Sequence, residues 1–198
     1  MMSDRSLLFK RLFDIGLASF GFVIFFPFAV LFGFMIYLED RGPVLYIQRR
    51  WGKGGKKFIA YKFRTMVVGA GSENKIIPAE EDDPRFTKVG KFLRATAMDE
   101  LPQLINIFKG DMSFVGPRAF ASNELSPTMP GFQRRHQVSP GLTGPAQIYL
   151  KRDATFEEKF VYDFQYIENQ SFLRDLQLIL ISIWITLKGK WETRGKKI

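Results

Sequence analysis

No cysteine occurs in the 198 residues, which excludes disulfides and thiolate metal sites and fits a reducing cytoplasm. Histidine is almost as scarce. His136 is the sole one, so neither a histidine zinc cluster nor a triad backed by a second histidine can be assembled. Acid–base and nucleophilic work therefore falls to carboxylates, lysine or tyrosine. Linkers rich in Ser, Gly and Pro are also missing, as are internal repeats and low-complexity tracts. One catalytic domain plus an anchor is the simplest organisation: residues 1–40 as a membrane helix and residues 41–198 as the body.

Charge is absent from one long stretch, the 24 residues Ile15 to Leu38, which are dominated by Phe, Leu, Ile and Val. As a helix this run would reach about 36 Å, enough to cross a bilayer. Pro27 sits in its middle, where a missing N–H and a steric clash predict a kink. Basic residues flank both ends: Arg5, Lys10 and Arg11 before it, and Arg41, Arg49, Arg50, Lys53, Lys56 and Lys57 after it. Positive charge on both sides favours the cytoplasmic face for both ends. A helix bent at Pro27 that re-enters the same leaflet satisfies these facts, and an ordinary kinked spanning helix is the alternative. The run is too long for a cleaved signal peptide, and no small-residue cleavage site follows it.

What the chain has in excess is positive charge, net +9, which fits partners that carry phosphate: anionic lipid, nucleic acid or a nucleotide. Val44–Arg50 and Lys57–Thr65 read as strands joined by Gly52-Lys53-Gly54-Gly55, a turn rather than a phosphate loop because no Lys-Ser/Thr pair or helix start follows. Alternation puts Phe58, Ala60, Lys62 and Arg64 on one face. Met66 to Asp83 reads as a mobile loop and Thr87 to Ala97 as a short helix. Asp99 to Phe108 is a clearer helix, with Leu101, Leu104, Ile105 and Phe108 as its apolar face, Pro102 in the first turn and Gly110 as the stop. Phe156–Tyr166 and Ser171–Leu187 complete an α+β fold. The last helix carries Leu173, Leu176, Leu180, Ile183, Trp184 and Leu187 as a stripe, followed by Lys188, Lys190, Arg194, Lys196 and Lys197. It reads as a core helix with a solvated basic tail, or as a helix at the membrane interface.

Asp99-Glu100 is the most suggestive pair. Alone, Asp99 before a helix reads as an N-cap. In company with Lys62, Arg64, Arg94 and Arg118 it reads as a carboxylate pair inside a cationic frame, the equipment of metal-assisted phosphoryl transfer.

Five motifs then occur in order: Tyr61-Lys62-Phe63-Arg64-Thr65-Met66; Asp83-Pro84-Arg85-Phe86-Thr87 with Gly90 and Leu93-Arg94; Asp99 to Asn106 (DELPQLIN); Gly110 to Arg118 (GDMSFVGPR); and Pro140-Gly141-Leu142-Thr143-Gly144. From about Phe9 to Leu187 the chain resembles the small monotopic phosphoglycosyl transferases, the bacterial sugar transferases that begin lipid-linked glycan synthesis. The resemblance implies Mg2+-dependent transfer of a sugar 1-phosphate from a UDP-sugar to a polyprenyl phosphate at the cytoplasmic face of the inner membrane, with release of UMP. It implies Asp99 as a nucleophile that forms a covalent phosphosugar, and Glu100 as a Mg2+ ligand or the handler of the acceptor proton. Arg94 and Arg118 become phosphate clamps, with Lys62 and Arg64 behind them. The sequence departs from the family pattern at Phe26, where Ser commonly precedes the proline, and at Ala119, where Pro follows Gly-Pro-Arg. It also departs at Tyr149-Leu150-Lys151-Arg152, which replaces an Asn-Gly-Arg-Asn-like stretch; of its two cations Arg152 is taken as the phosphate ligand. Membrane lipids are expected partners and nucleic acid is not, while the sugar and any homo-oligomer are not legible. The rival readings are a membrane-tethered basic adaptor indifferent to Asp99 and Glu100, and a membrane-bound UDP-sugar hydrolase.

Overall fold

The computed structural model describes residues 3–70, 83–151 and 153–188. Helix α1 (Asp4–Asp40) starts at a Ser3 cap and ends where Arg41 turns left-handed (φ 53°) and returns its N–H to Tyr37. The helix is continuous past Pro27, which itself donates no backbone hydrogen bond, so the chain does not break there. At about 1.5 Å per residue α1 is roughly 55 Å long. Its buried residues Lys10, Asp14, Ala18, Gly21, Phe32 and Ile36, with half-buried Phe25 and Ala29 between them, recur every three or four positions and form one face. The opposite face is apolar and open: Leu8, Leu12, Phe20, Val23, Phe26, Val30, Leu31, Phe34 and Leu38 are all more than half exposed. It is the one helix among the described residues long and apolar enough to cross a membrane.

Strands β1 (Leu45–Trp51) and β2 (Lys57–Phe63) form the expected antiparallel hairpin, registered from Leu45 opposite Phe63 to Trp51 opposite Lys57. A single 3-10 turn, Lys53–Gly55, closes it, and Gly54 and Gly55 sit at φ 68° and 70°, where a side chain would be strained. Helix α2 (Lys88–Ala95) follows, capped by Thr87, whose hydroxyl accepts from Gly90 N. The Asp99–Phe108 stretch is not one α-helix. Met98–Gln103 is a 3-10 turn, and α3 (Leu104–Lys109) begins only after it, ending at left-handed Gly110. The face differs too: Leu104 and Ile107 are buried, whereas Phe108 is half exposed.

Two three-residue strands, β3 (Ser113–Val115) and β4 (Gly141–Thr143), pair in parallel. Between them lies the four-residue helix α4 (Phe132–Arg135), and α5 (Pro145–Tyr149) follows β4. Helix α6 (Phe156–Glu168) begins with a reciprocal Thr155–Glu158 capping box, and α7 (Phe172–Leu187) with the Ser171 cap. The core-facing reading of the α7 stripe is overturned. Leu173, Leu176, Leu180, Ile183, Trp184 and Leu187 point outward, while Asp175, Leu178 and Ile185 face the body. Residues 71–82 of the expected loop and residues 189–198 of the basic tail lie outside the described residues.

Helix α1 enters two of the core clusters, with Ala18 beside Leu104, Ile107 and Met112, and Phe32 and Ile36 beside Phe63 and Leu93. Its polar residues are equally engaged. Lys10 Nζ donates to Asp175 Oδ2 (2.5 Å) and Val115 O (3.1 Å), and Tyr166 Oη donates to Asp175 Oδ1 (2.7 Å). Arg11 covers the C-terminal carbonyls of α3 at Ile107 (2.5 Å) and Phe108 (2.7 Å). At the far end Glu39 accepts from the first N–H groups of α2, and Asp40 pairs with Arg64. Because Lys10→Met would leave the Asp175 carboxylate buried without its cation, we expect a loss of about 3 kcal/mol in denaturant unfolding, from the cost of breaking a buried pair on one side. A loss below about 1 kcal/mol would show that the pair does not anchor α1.

Candidate active site

The 3-10 turn that bears Asp99 and Glu100 starts from Ala97, a non-glycine residue at φ 56°. Such a conformation costs of order 1 kcal/mol and is kept where the surroundings dictate it. Here Met98 and Leu101 pack against Phe32, Ile36, Phe63 and Leu93, which fixes the turn from below. Strand β2 is fastened beside it by Asn106, fully buried, which donates to Ile59 O (2.6 Å) and accepts from Tyr61 N (3.2 Å). The final residue of the DELPQLIN motif is thus a brace that sets Lys62 against the carboxylates.

Lys62 Nζ lies 2.5 Å from Glu100 Oε1 and 3.8 Å from Asp99 Oδ2. Arg118 Nη2 approaches Glu100 Oε1 at 3.5 Å. The segment carrying Arg118 is held by the Pro-Gly-Leu-Thr-Gly stretch: Gly116 N donates to Thr143 O, and Gly141 N to Pro117 O, each at 2.9 Å. A Cβ at Gly141 would stand 2.0 Å from Gly116 N, so this approach requires glycine. Four expected residues, Asp99, Glu100, Lys62 and Arg118, therefore converge.

The others take different positions. Arg64 is committed to Asp40 of α1 (Nη1 to Oδ2, 2.6 Å), although it lines the same cleft. Arg94 lies 4.5 Å from the Phe86 ring centroid, and its positive field still reaches Asp99. Lys151 lines the cleft, and Arg152 lies outside the described residues. Pro27 does not line the cleft, whereas Leu17, Phe20, Gly21, Ile24 and Phe25 of α1 do. Lone His136 is buried with Nδ1 2.7 Å from Phe132 O; burial lowers its pKa, which makes it a neutral packing residue.

Sequence reasoning missed Arg50. It is buried at the end of β1, bonds Gln48 Oε1 through Nε and Nη2 and Ala119 O through Nη1 (3.0 Å), and lines the cleft. Burial, with Arg118 nearby, brings its pKa down to about 10. Its position in the flanking basic run disguised it.

The two carboxylates are driven apart. Burial raises the Asp99 pKa against the pull of Lys62, and charged Glu100 raises it further. Burial would raise Glu100 as well, but Lys62, Arg118 and Arg50 outweigh it and hold this carboxyl well below the usual range. Asp99, 8% exposed, accepts no side-chain hydrogen bond from the described residues, so its oxygens are open to a hard cation or an electrophile. No cluster of three acidic or histidine side chains exists among the described residues. A divalent ion here would rest on Asp99, Glu100 and the oxygens of a bound phosphate, the arrangement Mg2+ favours.

The profile of the family described as "Bacterial sugar transferase" matches residues 5–189. The chain is 38% identical over 191 residues to the UDP-glucose:undecaprenyl-phosphate glucose-1-phosphate transferase of Klebsiella pneumoniae, covering 92% of this chain but only 41% of that relative. It is 39% identical over 182 residues to the uncharacterized sugar transferase EpsL of Bacillus subtilis (89% of this chain, 86% of the relative). With the exopolysaccharide production protein PSS of Rhizobium leguminosarum it shares 35% identity over 201 residues (96% and 98%). With residues 5–189 matched by that profile, the chain belongs to the bacterial sugar transferase family.

Proposed function

We propose that the protein is a phosphoglycosyl transferase that moves a sugar 1-phosphate from a UDP-sugar to undecaprenyl phosphate and releases UMP, the first membrane step in making a glycoconjugate. The observation that carries this reading is that a single cleft holds the Asp99–Glu100 pair with Lys62, Arg50 and Arg118, and also the apolar flank of α1. A nucleotide diphosphate suits the first half of that lining and a prenyl chain the second. The name of the Klebsiella relative supports it.

In this reading Asp99 attacks the sugar-bearing phosphorus, the bond from that phosphorus to the bridging oxygen breaks, and UMP leaves with the electron pair. An oxygen of undecaprenyl phosphate then attacks the same phosphorus, and the Asp99 carboxylate departs unchanged. Burial favours Asp99 as the nucleophile, because a carboxylate of raised pKa is more basic and less masked by cations. Arg118 and Lys62 oppose the charge growing on UMP. Asp99 and Glu100 would hold a Mg2+ ion, which would supply further neutralisation of the diphosphate. Glu100, held charged, orients Lys62 and Arg118.

The membrane arrangement follows from α1. Both of its ends grip the same body, which supports a monotopic helix that re-enters rather than spans the bilayer, at the cytoplasmic face of the inner membrane, with the outward stripe of α7 in the interface.

With Mg2+, undecaprenyl phosphate and UDP-glucose, UDP-galactose or UDP-N-acetylgalactosamine, we expect wild-type protein to release UMP, and Asp99→Asn to lose roughly a thousandfold or more. Unchanged release by Asp99→Asn would remove that residue as nucleophile. Without the lipid, release should stop after one equivalent; continued turnover would indicate a hydrolase instead.

The chain has no cysteine, so single cysteines placed at Ser3 and Lys56, both exposed, report topology with an impermeant maleimide. Both should react in inverted vesicles and neither in intact cells. Labelling from opposite sides would exclude the re-entrant helix.

A further inference from the structure

We infer that the buried pair Arg135–Asp163, set in the wall of the same cleft with side chains only 1% exposed, is a positioning device that acts on phosphate binding through Arg118. This rests on the transferase reading and adds to it the residues that orient its phosphate clamp.

The side chains of Arg135 and Asp163 are each 1% exposed, and Arg135 Nε donates to Asp163 Oδ2 at 2.7 Å. The guanidinium lies 4.2 Å from the ring centroid of Phe120 and 5.5 Å from that of Phe160. Its Nη2 donates to the backbone carbonyl of Arg118. A buried ion pair is no better for stability than apolar groups of the same volume, so stability alone does not account for one here. The bond to Arg118 O does.

Neighbouring carbonyls reveal the same design. Val115 O receives Lys10 Nζ (3.1 Å) and Tyr166 Oη (3.2 Å), Pro117 O receives Gly141 N (2.9 Å), and Ala119 O receives Arg50 Nη1 (3.0 Å). Without Arg135, Arg118 would be the one residue of the three from Pro117 to Ala119 whose carbonyl lost its donor. The Arg118 side chain is 38% exposed, and its side-chain partner, Glu100, meets it at 3.5 Å, a long contact that leaves much of its placement to the backbone. The point from which it reaches toward Glu100 is set by its backbone, which Arg135 holds. A planar fork explains the choice of arginine: Nε and Nη2 reach two partners in one plane, which a lysine cannot do.

The test is a double-mutant cycle on purified full chain, read as kcat/KM for UMP release and as UMP affinity by calorimetry. Arg135→Lys should lower both by about tenfold alone, and by about twofold or less on an Arg118→Ala background, since coupled residues are not additive. Arg134→Ala, which removes the neighbouring exposed pair with Glu168 and the stacking of Arg134 on Phe164 but no contact with Arg118, should leave both readouts unchanged. An equal loss on the two backgrounds would overturn the inference, because Arg135 would then act independently of Arg118. Should Arg135→Lys fail to fold, Asp163→Asn runs the same cycle; if both unfold, the pair is a structural brace and the inference fails. Wild-type protein that binds UMP but releases none from any UDP-sugar would sink the transferase reading, and the coupling in UMP affinity would still decide this one. No UMP binding at all would overturn both.

Discussion

Lys10 near one end of α1 and Asp40 at the other form ion pairs with Asp175 and Arg64, partners in the same body, across a run of side chains that water rejects. That constraint organises the rest. A helix held at both ends presents one face to the body and leaves the other apolar and open, and its buried stripe is small where the body comes closest, at Gly21 beside Leu104 and at Ala18, and large where Phe32 and Ile36 enter the core. The charges that bracket the apolar run are structural parts. Arg11 covers the carbonyls that end α3, and Glu39 the amides that begin α2. Residues that look like topology signals thereby place the two helices that flank the Met98–Gln103 turn.

Within the cleft, charge is divided unequally. Glu100 takes the close contact with Lys62, while Asp99 keeps its distance at 3.8 Å. Adjacent in sequence, the two acids live in different electrostatic surroundings because a 3-10 turn aims successive side chains about 120° apart. An α-helix beginning at Asp99 would have spent that carboxylate on backbone amides as a cap. The left-handed Ala97 and the short turn prevent this, leaving Asp99 available for chemistry.

Much of the fold was legible because its determinants are local. The hairpin turn glycines, the Thr87 and Ser171 caps and the Gly110 stop each encode their own element. The parallel pair Ser113–Val115 and Gly141–Thr143 was not legible, since three-residue strands far apart in sequence are defined by their partners. The stripe of α7 illustrates a deeper ambiguity: apolar periodicity reads the same whether the face meets a protein core or a bilayer, as both exclude water. In the site, motif order singled out Asp99, Glu100, Lys62 and Arg118, which do meet. It said nothing of Arg50 or Arg135, because in a chain with 29 lysines and arginines burial distinguishes a cation, and burial belongs to the fold. Arg64 shows the converse, a motif residue whose partner proved to be Asp40 at the end of α1.

The grip of α1 on the body bears on how such a protein can be divided. Cutting the chain after residue 40 would strip the cation from buried Asp175, uncover the last carbonyls of α3 and the first amides of α2, and bare Leu104, Ile107, Phe63 and Leu93 to water. The body would thus lose its own interior surfaces together with the anchor. Solubilising the body by truncation is therefore self-defeating, and any rearrangement that moved it to another setting would have to carry the helix with it.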